Sequence, residues 1–358
     1  MSSTSMDLRP IIRKLTSRMN LDEAEIHQSI ESILQGRTSE ASAASFLTAL
    51  TMKGESSDEI RGIFQVVMKH ALMIAPRVNG RLIDTSGTGG DALKSFNIST
   101  AAAIVAAAAG AKVAKHGNRS VSGICGSADF LEYVGLDLNA SSTNVADAIE
   151  NVGIGFLFAP KFHPAMRNIA SARNAMGIRT VFNIIGPLCN PCSNLSGQIV
   201  GVSDNSLLEV VPVVMKRKQI SELMVVWSHD GFDELSNTCE NNIVWVNGNE
   251  TKRFSLHPKR LGLTVAKIED LVVHTMEDSV RDTLQVINGV ANRQKEDVVL
   301  LNAAAALVVG RVAKNLQEGV DIARDTIKKG KSRKKLLQLI DTCGNKHRLE
   351  EAERTLRL

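Results

Sequence analysis

The chain has 358 residues, of which 44% are hydrophobic and 22% charged, a composition typical of a globular protein with a large buried core. Its formal net charge of +4 suits anionic substrates but is too small to indicate nucleic acid as a partner. The first residues carry no apolar signal segment, and the one long apolar run is too rich in alanine and glycine to predict a membrane span. We therefore expect a cytoplasmic protein, and its five cysteines, an odd number, indicate free thiols.

Residues 7–75 predict four or five short helices with no strand between them. Leu8, Ile11 and Leu15 keep helical spacing, and the next periodic segment ends at Gly36. Serines in capping positions precede the two segments that follow, Ser39 or Ser42 before one and Ser56 or Ser57 before the other. We interpret this part as a small all-helical unit for packing and association.

From residue 81 the pattern changes to short apolar strands that alternate with helices, which is typical of an α/β domain with a mostly parallel sheet. The candidate strands are 82–83, 111–114, 155–158, 196–202, 223–227 and 242–246, and the candidate helices are 163–177, 207–216 and 298–312. Ligands collect at the carboxyl ends of the strands in such sheets. Polar clusters follow these strands at Gly87, at Lys115 and at 229–234, so we expect them to form one site.

Residues 83–100 are the centre of this predicted site. An apolar strand runs into Gly87-Thr-Gly-Gly-Asp91, and Ser99 or Thr100 is the candidate N-cap of an alanine-rich helix, 101–109. Glycines let the backbone approach a phosphate closely, and a helix N-terminus offers N–H groups with partial positive charge. The stretch predicts an anion site, and in isolation it also fits a flexible turn before a buried helix.

Two further clusters point to phosphate chemistry. Residues 115–123 place lysine, histidine, arginine and serine side chains on a glycine-containing loop, and fixed cations with hydroxyl donors suit a polyphosphate. Residues 229–234 place carboxylates in a turn, and adjacent carboxylates suit Mg²⁺, which also takes ligands from substrate phosphates. Alone, each fits a solvated loop; beside the glycine loop, the phosphate and magnesium interpretation is favoured.

Together these motifs resemble anthranilate phosphoribosyltransferase of tryptophan biosynthesis. The resemblance extends from the amino-terminal helices to about residue 330, and its order of motifs is highly specific. It is carried by residues 87–91, 97–100, 115–122, 163–166, 179–188 and 233–234.

The resemblance implies an α/β fold of the nucleoside phosphorylase class II architecture, with a small all-helical domain and a large α/β domain whose central sheet is mostly parallel. The helical domain would comprise residues 1–78, completed by about 163–190. The large domain would comprise residues 79–162 and 191–358. Family members are typically homodimers joined through the helical domain.

The resemblance also implies the reaction, in which the phosphoribosyl group of 5-phosphoribosyl 1-pyrophosphate (PRPP) passes to the amine of anthranilate. This glycosyltransferase step would use Mg²⁺, two ions per active site, and no residue is assigned as a general acid or base. The implied PRPP-binding residues are Gly87, Gly90, Asp91, Ser95, Asn97, Ile98, Ser99, Thr100, Lys115, His116, Gly117, Asn118, Arg119, Ser120, Val121, Ser122, Gly123 and Ser127. The implied anthranilate-binding residues are Gly87, Asn118, His163, Met166 and Arg173, and the implied magnesium ligands are Ser99, Asp233 and Glu234.

The sequence departs from the family pattern in three places. Ile124 and Cys125 follow Gly123 where the family usually has lysine and serine. Cys189 and Cys192 form a C-x-x-C where the family more often has threonine and a small residue, and no second Cys or His pair accompanies them to suggest zinc. The charged tail, 341–358, predicts an additional helix.

Two other classes of protein remain as alternatives. A pyrimidine nucleoside phosphorylase shares the architecture and the phosphate loops, but the 163–173 segment resembles the anthranilate-site helix. A non-catalytic relative that binds nucleic acid would use the basic cluster at 328–335, but such a protein should have lost the glycine loop or the carboxylate turn, and both are present.

Overall fold

The structure, a computed structural model, describes residues 6–89, 93–120, 123–216 and 220–358. Its α-helices in chain order are α1 (Arg9–Thr16), α2 (Glu23–Leu34), α3 (Glu40–Lys53), α4 (Ser57–Lys69), α5 (Ile98–Ala108), α6 (Ser127–Tyr133), α7 (Ser142–Asp147), α8 (Ala159–Phe162), α9 (Arg167–Met176), α10 (Val181–Ile185), α11 (Leu207–Met215), α12 (Met276–Asn288), α13 (Arg293–Val309), α14 (Leu316–Lys328), α15 (Lys331–Cys343) and α16 (Lys346–Thr355). The strands are β1 (Leu82–Gly87), β2 (Lys112–Gly117), β3 (Ile154–Phe158), β4 (Gly197–Gly201), β5 (Glu222–Ser228), β6 (Asn241–Asn247) and β7 (Glu250–Leu256).

The amino-terminal helices begin where side chains can accept hydrogen bonds from the first helical N–H groups. Asp22 and Ser56 open α2 and α4 in capping boxes, each paired with a glutamate three residues later. Ser39 accepts a hydrogen bond from the Ser42 N–H at the start of α3. Ser39 and Ser56 are thus the caps, and the prediction of short helices without a strand is confirmed for α1 to α4.

Within the described residues the strands form one sheet of order β3-β2-β1-β4-β5-β6-β7. Strands β1 to β5 pair in parallel, whereas β6 and β7 are antiparallel additions at one edge. The prediction of a mostly parallel sheet beside a small helical unit is confirmed. Strand β7 was not predicted, because its mostly exposed polar sequence lacks the apolar signal of a buried strand.

Two hydrophobic cores lie on the two faces of the sheet. One packs α5, α12, α13, α14 and α15 against the sheet and includes Cys192. The other joins α1 to α4 with α9, α10 and α11, reaches the opposite face of β4 and β5 through Val200 and Val225, and includes Cys189. Both cysteines are buried. The C-x-x-C segment therefore crosses from one core to the other.

The carboxyl-terminal tail is helical, as predicted, but the helix begins at Lys346, after α15 has ended at Cys343. The basic cluster at 328–335 lies where α14 ends and α15 begins, and most of its side chains are exposed. Arg333 is paired with Glu353 of α16, and Lys335 Nζ donates to the carbonyl oxygen of Val152. Of the helices in the described part of the chain, none is long and apolar enough to cross a membrane.

A buried ion pair fastens α3 to α4. Lys53 Nζ lies 2.7 Å from Glu59 Oε2, and neither side chain is more than 3% exposed. Glu59 also accepts hydrogen bonds from the N–H groups of Leu21 and Ser56. Burial alone would raise the pKa of Glu59, but these hydrogen bonds outweigh it and hold the pKa below the ordinary value.

Glu59→Gln is expected to lower the free energy of unfolding by about 3 kcal/mol, because it leaves Lys53 buried without its counter-ion. Since the pKa of Glu59 is lower in the folded state than in the unfolded state, its contribution is present above the ordinary value of 4.5 and is lost as the pH falls. Urea unfolding at neutral and acidic pH would measure both effects. Asp58→Asn, on the exposed side of the same helix turn, is the control and should change stability little.

Candidate active site

The parallel strands end at one edge of the sheet, and the turn after β5 folds back over this edge. A side chain at Gly87, where β1 ends, would overlap the carboxylate of Asp233. A side chain at Gly201, where β4 ends, would overlap the backbone carbonyl oxygen of Asp233. Glycine at both strand ends thus lets the carboxylate turn approach the glycine loop after β1, as the positions of the motifs along the chain predict.

Both carboxylates of the turn are held by backbone N–H groups of the anion site. Asp233 Oδ2 accepts a hydrogen bond from Gly89 N–H at 2.6 Å, and Glu234 Oε1 accepts one from Ser99 N–H at 3.1 Å. Burial raises the pKa of Asp233, while the Gly89 N–H and the cations of Arg179 and Lys115 oppose this shift. The turn therefore presents anionic oxygens directly beside the glycine loop.

The start of α5 differs from the prediction. The helix begins at Ile98 with Asn97 in the N-cap position, so Ser99 and Thr100 lie in its first turn and do not cap it. The reason is that Glu234 satisfies the Ser99 N–H from outside the helix. Asn97 makes no capping bond and donates instead to Ser279 Oγ at 3.1 Å. Ser95, just before the helix, forms an isolated bridge with Val272.

Lys115 is a buried cation in β2, with only 3% of the residue exposed. Its Nζ donates to the Thr85 carbonyl oxygen at 2.8 Å and lies 3.4 Å from Ser99 Oγ. Burial lowers the pKa of Lys115, and the negative charges of Asp84, Glu234 and Asp233 counteract the shift. Lysine is rarely buried unless negative charges accompany it, as they accompany Lys115. A buried lysine whose pKa is perturbed in this way is a candidate functional residue.

Asp230 holds the carboxylate turn in shape. Its Oδ1 accepts hydrogen bonds from Ser228 Oγ at 2.6 Å and Phe232 N–H at 3.2 Å. Its Oδ2 accepts from the hydroxyls of Ser236 and Thr238. Burial would raise the pKa of Asp230, but these hydrogen bonds prevail and lower it. Asp230 therefore remains ionised and fixes the backbone on either side of Asp233 and Glu234.

The loop after β2 is fastened to α6. Arg119 forms ion pairs with Asp129 and Glu132, and Asp129 also accepts from the Ser120 N–H at 2.9 Å. Ser127 Oγ donates to the Asn118 carbonyl oxygen at 3.3 Å. A side chain at Gly117 would overlap Ser127, and one at Gly123 would crowd Ser120. The Arg119 guanidinium is thus engaged with carboxylates of α6 rather than with the carboxylate turn.

Four predicted site residues, Gly90, Asp91, Val121 and Ser122, lie outside the described residues. Ile98 and Thr100 are buried in α5. The replaced pair, Ile124 and Cys125, is partly buried against the core of the large sheet. Asn97 Nδ2 donates to Cys125 Sγ at 3.3 Å, and burial raises the pKa of this thiol. In this chain the position therefore packs inward.

Three of the predicted anthranilate-binding residues, His163, Met166 and Arg173, lie in the segment between β3 and α10. His163 is buried, its Nε2 lies 2.8 Å from the Cys189 carbonyl oxygen, and its ring contacts that of His116 with centroids 5.3 Å apart. Met166 is partly buried at the turn before α9. The Arg173 guanidinium lies over the Phe182 ring, 5.4 Å from its centroid, and burial lowers the pKa of Arg173.

One residue of the site was missed by the sequence analysis. Arg179 belongs to the 179–188 motif, which had no assigned role, yet its guanidinium donates to the Gly89 carbonyl oxygen at 2.7 Å. No sequence signal distinguishes an arginine that binds another part of the protein from one that contacts only solvent.

The donor set around the turn fits a magnesium ion. Asp233, Glu234 and the Ser99 hydroxyl supply hard oxygen ligands, and Mg²⁺ commonly takes only one or two protein carboxylates and completes its shell with water and phosphate oxygens. Across the described ranges, no group of three or more His, Cys, Asp or Glu side chains is arranged to hold a metal. A metal at this turn would thus depend on oxygens from the substrate and water.

Comparison with known protein families places both parts of the chain in the same kind of enzyme. Residues 79–333 match the glycosyl transferase family, a/b domain, and residues 9–71 match the glycosyl transferase family, helical bundle domain. The anthranilate phosphoribosyltransferase of Nitrosopumilus maritimus is 40% identical over 95% of this chain and 98% of its own length. That of Acetivibrio thermocellus is 42% identical over 93% of this chain and 96% of its own length.

Solved structures show the same likeness. The anthranilate phosphoribosyltransferase of Thermus thermophilus matches with a TM-score of 0.85 and 35% identity over 93% of this chain and 98% of that one. The enzyme of Saccharomyces cerevisiae in complex with PRPP and Mg matches with a TM-score of 0.84 and 26% identity over 94% of this chain and 98% of that one. The same yeast enzyme in complex with 4-fluoroanthranilate has a TM-score of 0.83 and 27% identity, over 94% of this chain and 97% of that one.

Proposed function

Because this chain belongs to the anthranilate phosphoribosyltransferase family, we propose that it transfers the phosphoribosyl group of PRPP to the amine of anthranilate. The products are N-(5-phosphoribosyl)anthranilate and pyrophosphate. The reaction is the second step from chorismate to tryptophan, and we place the enzyme in the cytoplasm. The observation that carries the proposal is the buried Lys115, whose Nζ contacts the Thr85 carbonyl oxygen of β1 and Ser99 Oγ of α5, near the charges of Asp233 and Glu234. This arrangement suits a substrate that combines a polyphosphate with a divalent metal.

The donor is bound at the carboxyl ends of β1 and β2. The glycine loop from Gly87 and the first turn of α5 offer backbone N–H groups to phosphate oxygens. Lys115 supplies positive charge from β2, and residues 117–120 of the loop after β2, held to α6 by the Arg119–Asp129 ion pair, contact the pyrophosphate and ribose. Because Ile124 and Cys125 stand where the family usually has lysine and serine, this region has one cation fewer than the family pattern provides.

Magnesium binds at the carboxylate turn, through Asp233 and Glu234 for one ion and Ser99 for a second. When bound, Mg²⁺ neutralises charge on the pyrophosphate as it leaves. Asp230 keeps the two carboxylates in place for this role, since its hydrogen bonds fix the turn on both sides.

Anthranilate binds between the 163–173 segment and the glycine loop, with its carboxylate on Arg173 and its ring near Met166, His163 and Asn118. Displacement at the anomeric carbon develops oxocarbenium-like character, so the protein must hold the amine in line and stabilise the leaving group. The aromatic amine is nucleophilic when neutral and needs no dedicated base. Residues 1–78 with about 163–190 act as the acceptor-side domain, and 79–162 with 191–358 as the donor-side domain.

Anthranilate fluorescence tests the proposal. The purified protein should quench the fluorescence only when anthranilate, PRPP and Mg²⁺ are all present. Quenching without PRPP, or none with all three, would contradict the transferase activity. Phosphorolysis of thymidine or uridine would then identify a pyrimidine nucleoside phosphorylase, and strongly salt-dependent DNA binding without turnover would identify a binding protein.

The helical unit presents an apolar surface that suits a second copy of the chain. Between α1 and α3 lies an open groove of about 610 Å³, lined in part by Ile12, Ala44, Ala49 and Met52. Met52 is 78% exposed. An exposed methionine beside small apolar residues is typical of an association surface. We assign this surface to the homodimer interface that the family resemblance implies.

Met52→Asp is expected to convert the dimer into a monomer, because it places a charge in the apolar groove. Sedimentation velocity would measure the change in mass. Val290→Asp is the matched control, since Val290 is 62% exposed and lies after α12, away from the groove. A Met52→Asp variant that sediments like the wild type would rule out this surface.

A further inference from the structure

We propose that Arg179 is a positioning residue that clamps the glycine loop and prepares it for the phosphoribosyl donor. Arg179 lies between α9 and α10, in the segment that packs with the amino-terminal helices. Its Nη1 donates to the Gly89 carbonyl oxygen at 2.7 Å, and its Nη2 lies 3.4 Å from the Thr88 carbonyl oxygen. Arg179 therefore extends from the domain proposed to bind anthranilate to the glycine loop proposed to bind PRPP.

The contact completes a set of polar interactions that hold both backbone groups of Gly89. The Gly89 N–H is held by Asp233 Oδ2 at 2.6 Å, and its carbonyl oxygen is held by Arg179. Thr88, one residue earlier, donates its N–H to the Gly201 carbonyl oxygen at 2.9 Å, and its hydroxyl accepts from the Ser203 N–H at 3.2 Å. Neighbouring backbone groups of the loop are thus fixed by Asp233, Arg179 and Gly201. Of these residues, Arg179 lies in the domain proposed to bind anthranilate.

The loop needs such a clamp because of its composition. Gly89 has a φ of +63°, a conformation that glycine adopts readily but does not maintain by itself. A loop with several glycines loses much conformational entropy when it closes on a ligand, and ordering it beforehand strengthens binding. The two guanidinium hydrogen bonds supply this order. Arg179 also places positive charge near Asp233.

The geometry separates the roles of two neighbouring arginines. Arg173 lies over the Phe182 ring, whereas Arg179, six positions later, contacts loop backbone instead of an aromatic side chain. In the proposed function Arg173 contacts the acceptor directly. Arg179 acts on the donor indirectly, through the glycine loop. This inference rests on the proposed function for the identity of the donor.

The test compares Arg179→Ala, Arg179→Lys and the control Arg354→Ala, an exposed arginine on α16 that is not among the proposed binding residues. Calorimetry would measure PRPP binding with Mg²⁺ and no acceptor, and steady-state kinetics would give both KM values. Loss of charged hydrogen bonds to Gly89 and Thr88 should weaken PRPP binding about tenfold and raise the PRPP KM to match. The anthranilate KM and the Tm should stay near wild type, and lysine should restore part of the affinity.

Each other result is decisive. Unchanged PRPP affinity in Arg179→Ala overturns the clamp, and so does an equal loss for both substrates together with a lower Tm, which would show a purely structural role. A wild-type protein that binds PRPP but does not consume anthranilate overturns the proposed reaction, and the calorimetry still tests the clamp. A wild-type protein that does not bind PRPP overturns both.

Discussion

Replacing Asp233 with Asn and Glu234 with Gln together is expected to reduce kcat/KM by at least about 100-fold at low magnesium, because in the proposed site this pair supplies the protein's anionic ligands to the metal. The substitutions are isosteric and keep oxygen atoms that can accept from the N–H groups of Gly89 and Ser99. The glycine loop should therefore keep its position. The loss of activity would then result from the removed negative charges and not from local unfolding.

Activity measured across a magnesium titration tests this expectation. The double variant should need far more magnesium for half-maximal rate, and its Tm should remain close to that of the wild type. Glu350→Gln with Glu351→Gln is the matched control, since these adjacent carboxylates on α16 are exposed. A double variant at 233 and 234 with the magnesium dependence of the wild type would exclude the turn as the metal site.

Arg173→Ala is expected to raise the KM for anthranilate by about 100-fold, as removal of a charge-assisted bidentate contact to a carboxylate would. The guanidinium is partly buried over Phe182, and no carboxylate within the described ranges forms an ion pair with it. A partly buried cation of this kind is prepared for an anionic ligand. The KM for PRPP should change no more than about twofold, since the Arg173 guanidinium lies over Phe182 and forms no hydrogen bond with the described residues of the glycine loop.

Aniline as the acceptor isolates the contact. It keeps the amine of anthranilate and lacks the carboxylate, so wild type and Arg173→Ala should use it equally poorly. Arg354→Ala, an exposed arginine on α16, should behave as the wild type with both acceptors. If Arg173→Ala impaired the use of aniline as much as that of anthranilate, the arginine would not be the carboxylate ligand.

The sequence predicted the positions of the site motifs better than their contacts. Gly87, Lys115 and Asp233 follow buried parallel strands, and strand ends meet at one edge, so their convergence could be expected before the structure was known. The start of α5 could not, because it depends on Glu234, a residue 135 positions away from Ser99. Local capping rules favour Ser99 or Thr100, and a tertiary hydrogen bond overrides them.

Other differences have the same origin. Strand β7 pairs only with β6 and has mostly exposed side chains, so it lacks the apolar pattern by which the buried strands were identified. Arg179 looks like any solvated arginine until the fold brings Gly89 to it. The inward position of Cys125 depends on Asn97 and on α12, which no local pattern connects to the loop. The missing information in each case is a contact between distant parts of the chain.

The carboxylate turn packs closely against Gly87 and Gly201. The site can therefore form during folding only after the ends of both strands are in place. The ends of β1 and β4 meet only after pairing across a long loop, as the bond from Leu82 N–H to Ser196 Oγ spans 114 residues. The turn then needs β5 beside β4. Such non-local pairings form slowly compared with helices. A nascent chain that ends before β5 lacks the carboxylate turn and with it the proposed magnesium site, so activity during refolding reports on the completed sheet.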